Sequence, residues 1–342
     1  MFPLKLLDIK NIILQGIQSI NCNIFSIRRP SNAMILLTNR CNCHCKYCDI
    51  PLRQPEELTT AQIFDLLNQL KKFGTHRIGF LGGEPLIRDD IVEIVSYAKK
   101  LGFFITMNTN AVLLKNPEKE KIIDFINVLS VSFDGKRENH DYLRGLGTHQ
   151  AALDAIKKYS SKIKIFTSSV ITKYNLDDID YILDIAREYK AFSTFQVLQH
   201  PEEFVRHIRQ TELFPENEEI KQAFIKLKKK SEQGFPVAIS DKTLQTLIEW
   251  GDYKMTSIKN NEKCYAGKLF CSIDSNGMLY NCDLLIGKIK GEYVFDKNLK
   301  SAFLSLKENP CSKCVATCYN EYNNIYSLNP QVIIRWIKNI FY

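Results

Sequence analysis

Between about Ala33 and His200, short apolar runs alternate with longer stretches of helical periodicity, and no other feature limits the fold of this chain so tightly. Six runs read as strands, at 33–38, 77–81, 103–107, 128–133, 164–172 and 194–198. Between the first two, Ile63, Leu66, Leu67 and Leu70 recur at helical spacing, with Thr59 and Thr60 as candidate N-caps and Gly74 as the stop. A second helix, over 89–101, ends at Gly102 in the same way. Strand–helix alternation of this kind argues for an α/β fold with a parallel sheet and helices outside. Right-handed crossovers then bring every strand's C-terminal end to one rim, where loop residues converge on a ligand. Six units suggest an open, partial barrel, and strand counting alone leaves a doubly wound sheet as the rival.

After His200 the character changes. The stretch 201–219 is polar and irregular, Glu218–Lys230 is a Lys-rich helix, and a β-like stretch beyond Cys264 runs into a cysteine-rich tail. The expected divisions are an amphipathic segment at 1–32, the barrel at 33–235, a linker at 236–263, a small cysteine-rich α+β unit at 264–320 and a second amphipathic helix at 321–342. A chain of 342 residues, 45% hydrophobic, buries a sizeable core. Its net charge of +8 is spread out, with no block of like charges that would mark a nucleic-acid arm. No run of about 18 apolar residues is present to span a membrane. The opening MFPLKLLDIKNIILQGIQSI is broken by Lys5, Asp8 and Lys10 and lacks a small-residue cleavage site, so it reads as an amphipathic helix and not a signal peptide.

The eleven cysteines cluster: four within Cys41–Cys48, six within Cys264–Cys318, and Cys22 alone. Disulfide frameworks belong to short secreted chains, so metal binding in a reducing cytoplasm is the better expectation. Cys41, Cys45 and Cys48 are spaced C-x3-C-x2-C directly after the first strand. Such a loop wraps three thiolates around one small inorganic object, as iron–sulfur sites do. Zinc is the rival, with Cys43 or His44 as a fourth ligand.

The segment TNRCNCHCKYCDIP resembles the signature of radical S-adenosylmethionine (SAM) enzymes. The resemblance implies a partial (β/α)6 TIM-like barrel and a 4Fe–4S cluster on Cys41, Cys45 and Cys48 with one iron left open. SAM would chelate that iron, accept one electron and give a 5′-deoxyadenosyl radical that abstracts hydrogen from substrate, while the protein binds, orients and excludes side reactions. Cys43 then reads as a packing thiol. Further motifs fall on the same rim. LGGEP (81–85) resembles the family's GGEP segment, whose backbone binds the SAM amino group, and so singles out Gly82, Gly83 and Glu84; taken alone it is an ordinary strand–helix loop. MNTNA (107–111) resembles the TNG turn with Ala111 in place of glycine, so Thr109 and Asn110 either face SAM or bond their own backbone. SVSFDG (130–135) resembles the S-x-D-G segment, which places Ser132 near SAM while Asp134 and Gly135 shape the loop. In HDYLRGLGTH, Arg144 is the candidate for the SAM carboxylate, although a solvent-facing arginine is the commoner fate. TSSVITKYN lacks a glycine-rich adenine segment and leaves Ser168 and Asn175 as contacts. His76, His140, His149, His200 and His207 show no paired ligand spacing and read as structural or exposed.

In the distal set, Asn276–Gly277 at a hairpin tip presents Cys282 at a strand end, and Cys311 and Cys314 form a C-x2-C turn. Spacing alone balances zinc against iron–sulfur. The run C-x12-G-x4-C from Cys264 to Cys282, followed by C-x2-C, resembles the twitch and SPASM domains, which carry one or two auxiliary 4Fe–4S clusters. Two fully ligated clusters need eight thiolates and six cysteines are present, so the expectation is one cluster on Cys264, Cys282, Cys311 and Cys314. The rival assignment uses Cys264, Cys271, Cys282 and Cys318; the surplus pair is then packing, or part of a second cluster with an open iron. The resemblance further implies an oxidoreductase or isomerase-type enzyme acting on a peptide or small molecule by dehydrogenation, cross-linking or epimerisation. A one-electron donor such as flavodoxin or ferredoxin would serve it. The opposing class, a non-catalytic iron–sulfur or zinc protein, would not need the GGEP and neighbouring turns. Only 32 residues precede the first strand, which disfavours a fused leader-peptide reader.

The chain ends carry apolar stripes: Leu6, Ile9, Ile13, Ile17 and Ile20 at one, Val332, Ile333, Trp336, Ile337, Ile340 and Phe341 at the other. Packing of the two helices on the barrel or on each other is the first expectation. A peripheral membrane contact, with a lipid or lipid-linked sugar as substrate, is the sharper one.

Overall fold

The computed structural model describes residues 6–53, 56–199 and 211–334. His200, His207, the polar segment 201–210 and the tail from Arg335 onward lie outside the described residues.

Six parallel strands follow one another in chain order: β1 (Asn32–Leu36), β2 (Arg77–Leu81), β3 (Phe104–Thr109), β4 (Val128–Ser132), β5 (Lys164–Ile171) and β6 (Phe192–Val197). They fall within two residues of the expected starts. Between them run α2 (Thr60–Phe73), α3 (Ile91–Lys100), α4 (Pro117–Glu120), α5 (Arg137–Arg144), α6 (Thr148–Tyr159) and α7 (Ile179–Glu188), after an opening helix α1 (Leu6–Phe25). Helix α2 begins in a capping box, Thr59 and Gln62 exchanging side-chain and backbone hydrogen bonds, and ends at Gly74 with φ +94°. Along β5 the pleat sorts side chains in alternation: Ile165, Thr167, Ser169 and Ile171 are buried beneath the helices, while Lys164, Phe166, Ser168 and Val170 face inward onto a cavity.

After α8 (Asn217–Glu232) and α9 (Asp241–Ile248), a short pair β7 (Ser257–Ile258) and β11 (Lys313–Cys314) forms a separate ribbon. The strands β8 (Phe270–Ile273), β9 (Met278–Tyr280) and β10 (Glu292–Tyr293) instead continue the barrel sheet, in the order β10-β9-β8-β1-β2-β3-β4-β5-β6. β8 pairs parallel to β1, Ala33 opposite Cys271, so the region expected as a C-terminal unit shares its hydrogen bonds with the barrel. The β8–β9 hairpin turns at Gly277, φ +84°, as the Asn276–Gly277 pair indicates.

The sheet does not close on itself. After α10 (Leu299–Ser305), the last helix of the sheet region, α11 (Thr317–Tyr326), stands in the gap. On one side Thr317 donates from its N–H to Gln196 Oε1 (3.0 Å) and from Oγ1 to the Phe195 carbonyl (2.6 Å) on β6. On the other, Tyr319 stacks on Phe270 of β8, ring centroids 5.2 Å apart. The arrangement is the expected partial barrel, completed laterally by a helix.

Helix α1 covers the end of the barrel opposite the rim of strand C-terminal ends, where helices lead back into strands. It does so with its polar face. Asn11 donates to the Gly102 carbonyl and Gln18 to that of Gly74, both just ahead of strands, and Asn23 donates to Tyr326 O. The expectation that Ile13, Ile17 and Ile20 pack on the barrel is corrected: these side chains are exposed, because the surface beneath is a set of strand-preceding carbonyls that require donors. Among the described residues, no helix is long and apolar enough to cross a membrane.

Candidate active site

The cysteine loop leaves β1 at the rim and is held from below by the turn after β2. Gly83 and Glu84 donate their N–H groups to the carbonyls of Thr38 (2.8 Å) and Arg40 (2.9 Å). No side chain fits between these backbones. A Cβ at Gly82 would lie 2.2 Å from Thr38 O, and one at Gly83 would lie 2.2 Å from Arg40 O. The two glycines are therefore fixed by close approach to the segment that carries Cys41.

Glu84 turns away from the rim. Its carboxylate, 1% exposed, accepts from Thr109 Oγ1 (2.8 Å), the Asn110 N–H (2.7 Å) and the Leu86 N–H (3.1 Å). Burial nevertheless pushes the carboxyl up to about 7, outweighing the three donors. Thr109 thus spends its hydroxyl on the scaffold. Asn110 reaches the cysteines, its Nδ2 donating to Asn42 Oδ1 (2.9 Å) and lying 3.8 Å from Cys41 Sγ. A hydrogen bond from the Cys43 thiol outweighs burial and, with the Cys43 N–H and Asn110, brings the Cys41 thiol down to about 6. Cys45 is raised by burial, and Cys48 is pushed up to about 12 by the same cause.

A buried ion pair latches the loop to α5. Arg144 donates to Asp134 from Nε (2.6 Å) and Nη2 (3.2 Å), and the guanidinium lies over the Tyr47 ring at 5.4 Å. Tyr47 donates its hydroxyl to Asp134 Oδ2 (2.5 Å), and the Val170 N–H adds a fourth donor to Oδ1 (2.9 Å). Burial alone would raise the Asp134 carboxyl, but the charge and hydrogen bonds of Arg144 hold it below the ordinary range. Arg144 is thus not solvent-facing: it is 9% exposed and committed through two nitrogens to Asp134. Asn175 is likewise structural, donating to the carbonyls of Asp134 and Val170. His140 Nδ1 accepts from the Asp134 N–H (3.1 Å), which fits a structural histidine. Ser132 ends β4 on the same inward face as Ser130, and Ser130 and Ser168 line the cavity.

That cavity has a volume of ≈ 750 Å³ and runs the length of the barrel interior. Tyr47 borders its rim end, Asn11 and Gln15 of α1 its floor, and Asp283, Cys318, Tyr319 and Tyr322 its lateral wall. The distal cysteines gather behind this wall. Cys264, Cys282, Cys311 and Cys314 act on one another electrostatically, and burial raises Cys264, Cys282 and Cys314. Cys318 neighbours Cys314 but presents its surface to the cavity. Cys271 is not brought to this group. It lies on the opposite face of β8 from Phe270, fully buried in the apolar core with Ala33 and Ile35, and burial is the sole cause of its raised thiol. Cys22, on α1, packs in the apolar cluster that holds Cys282 and Cys314, a contact that sequence spacing gave no sign of.

A parallel barrel with a three-cysteine loop at its rim defines a class of cofactor-dependent α/β protein. Residues 35–186 match the model of the radical SAM superfamily, and the chain carries a radical SAM domain. Fe-coproporphyrin III synthase of Methanosarcina barkeri (strain Fusaro / DSM 804) is 34% identical over 160 residues, 45% of this chain and 40% of that protein. PqqA peptide cyclase of Streptomyces rochei is 30% identical over 174 residues, 48% of this chain and 47% of that protein. The chain thus spans less than half the length of either curated relative. Among solved structures, Streptococcus suis SuiB bound to S-adenosylmethionine shares the fold with a TM-score of 0.67 at 18% identity, over 86% of this chain and 69% of that one. SuiB bound to its precursor peptide SuiA superposes with a TM-score of 0.66.

The domain implies a 4Fe–4S cluster and SAM, and the loop's chemistry fits them. Three thiols share one tight turn, one already favours the thiolate, and the other two are buried so that a cationic group is what would ionise them. The adjoining Asn39 amide is buried with neither polar atom partnered. Among the described residues, no three His, Cys, Asp or Glu side chains converge at the spacing of a single ion.

Proposed function

We propose that the protein is a radical SAM enzyme that removes a hydrogen atom from a peptide seated in the barrel cavity. One observation carries this reading: a single cavity meets the Cys41–Cys48 loop at one end and Cys318 on its wall. Cys41, Cys45 and Cys48 would hold the cluster, which when bound supplies the electron that cleaves SAM to methionine and a 5′-deoxyadenosyl radical. Gly82 and Gly83 fix the height of the loop, Asn110 orients Cys41, and the Tyr47–Asp134–Arg144 latch keeps Cys45 and Cys48 on the rim. Arg144 exerts its charge on Cys41 and Cys45 while paired, Ser168 lines the cavity, and Ser132 would extend the same inward face toward the rim. Cys264, Cys282, Cys311 and Cys314 would hold one auxiliary 4Fe–4S cluster, positioned to take an electron from the substrate through the wall. A flavodoxin- or ferredoxin-type donor would reduce the rim cluster.

The peptide assignment draws on PqqA peptide cyclase and on SuiB with its precursor peptide; the Fe-coproporphyrin III synthase relative supports a small, planar substrate as the second reading. Anaerobic reconstitution with iron and sulfide, followed by reduction with SAM, should yield 5′-deoxyadenosine and methionine. Replacing Cys41, Cys45 and Cys48 together by alanine should abolish both products. If the wild type yields neither product, the enzyme assignment fails. Deuterium transfer into 5′-deoxyadenosine from a labelled peptide, and not from a labelled tetrapyrrole, decides between the substrates.

A further inference from the structure

Helix α1 is amphipathic the wrong way round for a helix bathed in water. Its polar residues Asn11, Gln18 and Ser19 are buried at 3%, 8% and 2% exposure, whereas Ile13, Ile17, Ile20 and Ile24 stand at 57%, 47%, 43% and 67%. Those four positions repeat at helical spacing and form one outward stripe, extended by Phe25 at the helix end and Ile27 just past it. A stripe that serves no packing within the fold is an exposed patch of the kind that meets another phase or partner.

The charges around it share one sign. Lys10 is exposed one turn before the stripe and acts on Lys71, and with Arg29 on His76. At the other end Arg28 is turned inward onto the carbonyls of Gly267, Phe303, Leu304 and Leu306, whereas Lys263 donates to Asn23 at the flank of the stripe (3.0 Å). Glu262, next in the chain, is paired with Lys313 at 2.9 Å. A symmetric dimer through this face would set these cations against their own copies. An anionic surface matches them.

We propose that α1 docks the protein onto an anionic lipid bilayer, the isoleucine stripe entering the headgroup–acyl boundary and the flanking cations meeting phosphate. Because α1 floors the barrel, the cysteine rim then points away from the bilayer. Substrate and reductant approach from the aqueous side, and a lipid substrate in the bilayer plane is excluded from the rim. The docking is independent of the radical chemistry, and its test reads no turnover.

Cosedimentation with vesicles of phosphatidylcholine, with and without phosphatidylglycerol, tests it on the full chain. Binding should require the anionic lipid and fall as salt rises. The double variant Ile17→Glu with Ile24→Glu, at exposed positions, should weaken binding about tenfold or more while melting temperature and SAM cleavage in solution stay unchanged. Absence of wild-type binding to anionic vesicles, or equal binding by the double variant, overturns the proposal. So does a dimer, seen by light scattering, that the double variant dissolves. A chain ending at Ile334 that binds where the full chain does not would show the tail to be the occupant, and overturns it as well.

Discussion

Asp134 is the residue on which the rim's geometry turns, and its replacement by alanine is the sharpest test of that view. Its carboxylate accepts four hydrogen bonds, two from Arg144 and one each from Tyr47 and Val170. Removing one member of a buried ion pair costs about 3–5 kcal/mol, because the remaining charge is left without compensation. The stranded Val170 N–H adds about 1–2 kcal/mol. These costs overlap, so about 5 kcal/mol in all is expected, at the lower end of the whole stability of an ordinary domain. A second variant, Asp134→Ala with Arg144→Met, removes the stranded charge and keeps an apolar stem over Tyr47. It should recover about 2 kcal/mol or more of the loss. Urea denaturation under anaerobic conditions gives both values, and iron content reports whether the loop still holds a cluster. A loss below about 1 kcal/mol for the single variant, or a double variant no more stable than the single one, would refute the latch.

Three further perturbations follow from the site. Glu84 titrates near 4.5 in the unfolded chain and near 7 in the fold, so the folded chain binds more protons between those values and stability falls as pH rises through them, by about 3 kcal/mol. Glu84→Gln should flatten that slope in denaturation measured across pH 4.5–7, and an unchanged slope removes Glu84 as its source. Gly83→Ala places a methyl against the Arg40 carbonyl and should cost about 1–3 kcal/mol and displace the Cys41 loop, read as lost iron; full iron content counts against the close-approach argument. Cys282→Ser should lose the distal iron, whereas Cys271→Ser should keep it and lose about 1–3 kcal/mol for a buried hydroxyl, so iron loss in the second variant would make Cys271 a ligand after all.

The barrel was legible because each of its units obeys local rules. Strand β2 lies where the apolar run RIGFL places it, and α2 starts and stops at the residues whose side chains and φ demand it. The cysteine loop, the glycine turn and the Asn276–Gly277 hairpin were equally plain, since spacing and turn chemistry are local. What sequence could not give is what depends on residues far apart. Arg144 is indistinguishable from a surface arginine until α5 turns it toward Asp134, and Cys271 is indistinguishable from a ligand until the pleat of β8 points it into the core. Helix α1 misled for a related reason. Periodicity finds the apolar face of a helix but not which face the fold uses, and here the carbonyls beneath select the polar one.

The pairing of β1 with β8 also bears on how the chain is made. β1 leaves the ribosome ahead of every other strand of its sheet, yet one of its two neighbours is complete only after residue 273 has been added. At about 5–20 residues per second, that edge waits roughly 10–50 s with its apolar Ala-Met-Ile-Leu backbone open to any passing strand. The half-made barrel, and not the finished one, is then the species most prone to aggregate. Yield during synthesis should depend on temperature and on chaperone supply more than on the stability of the completed fold.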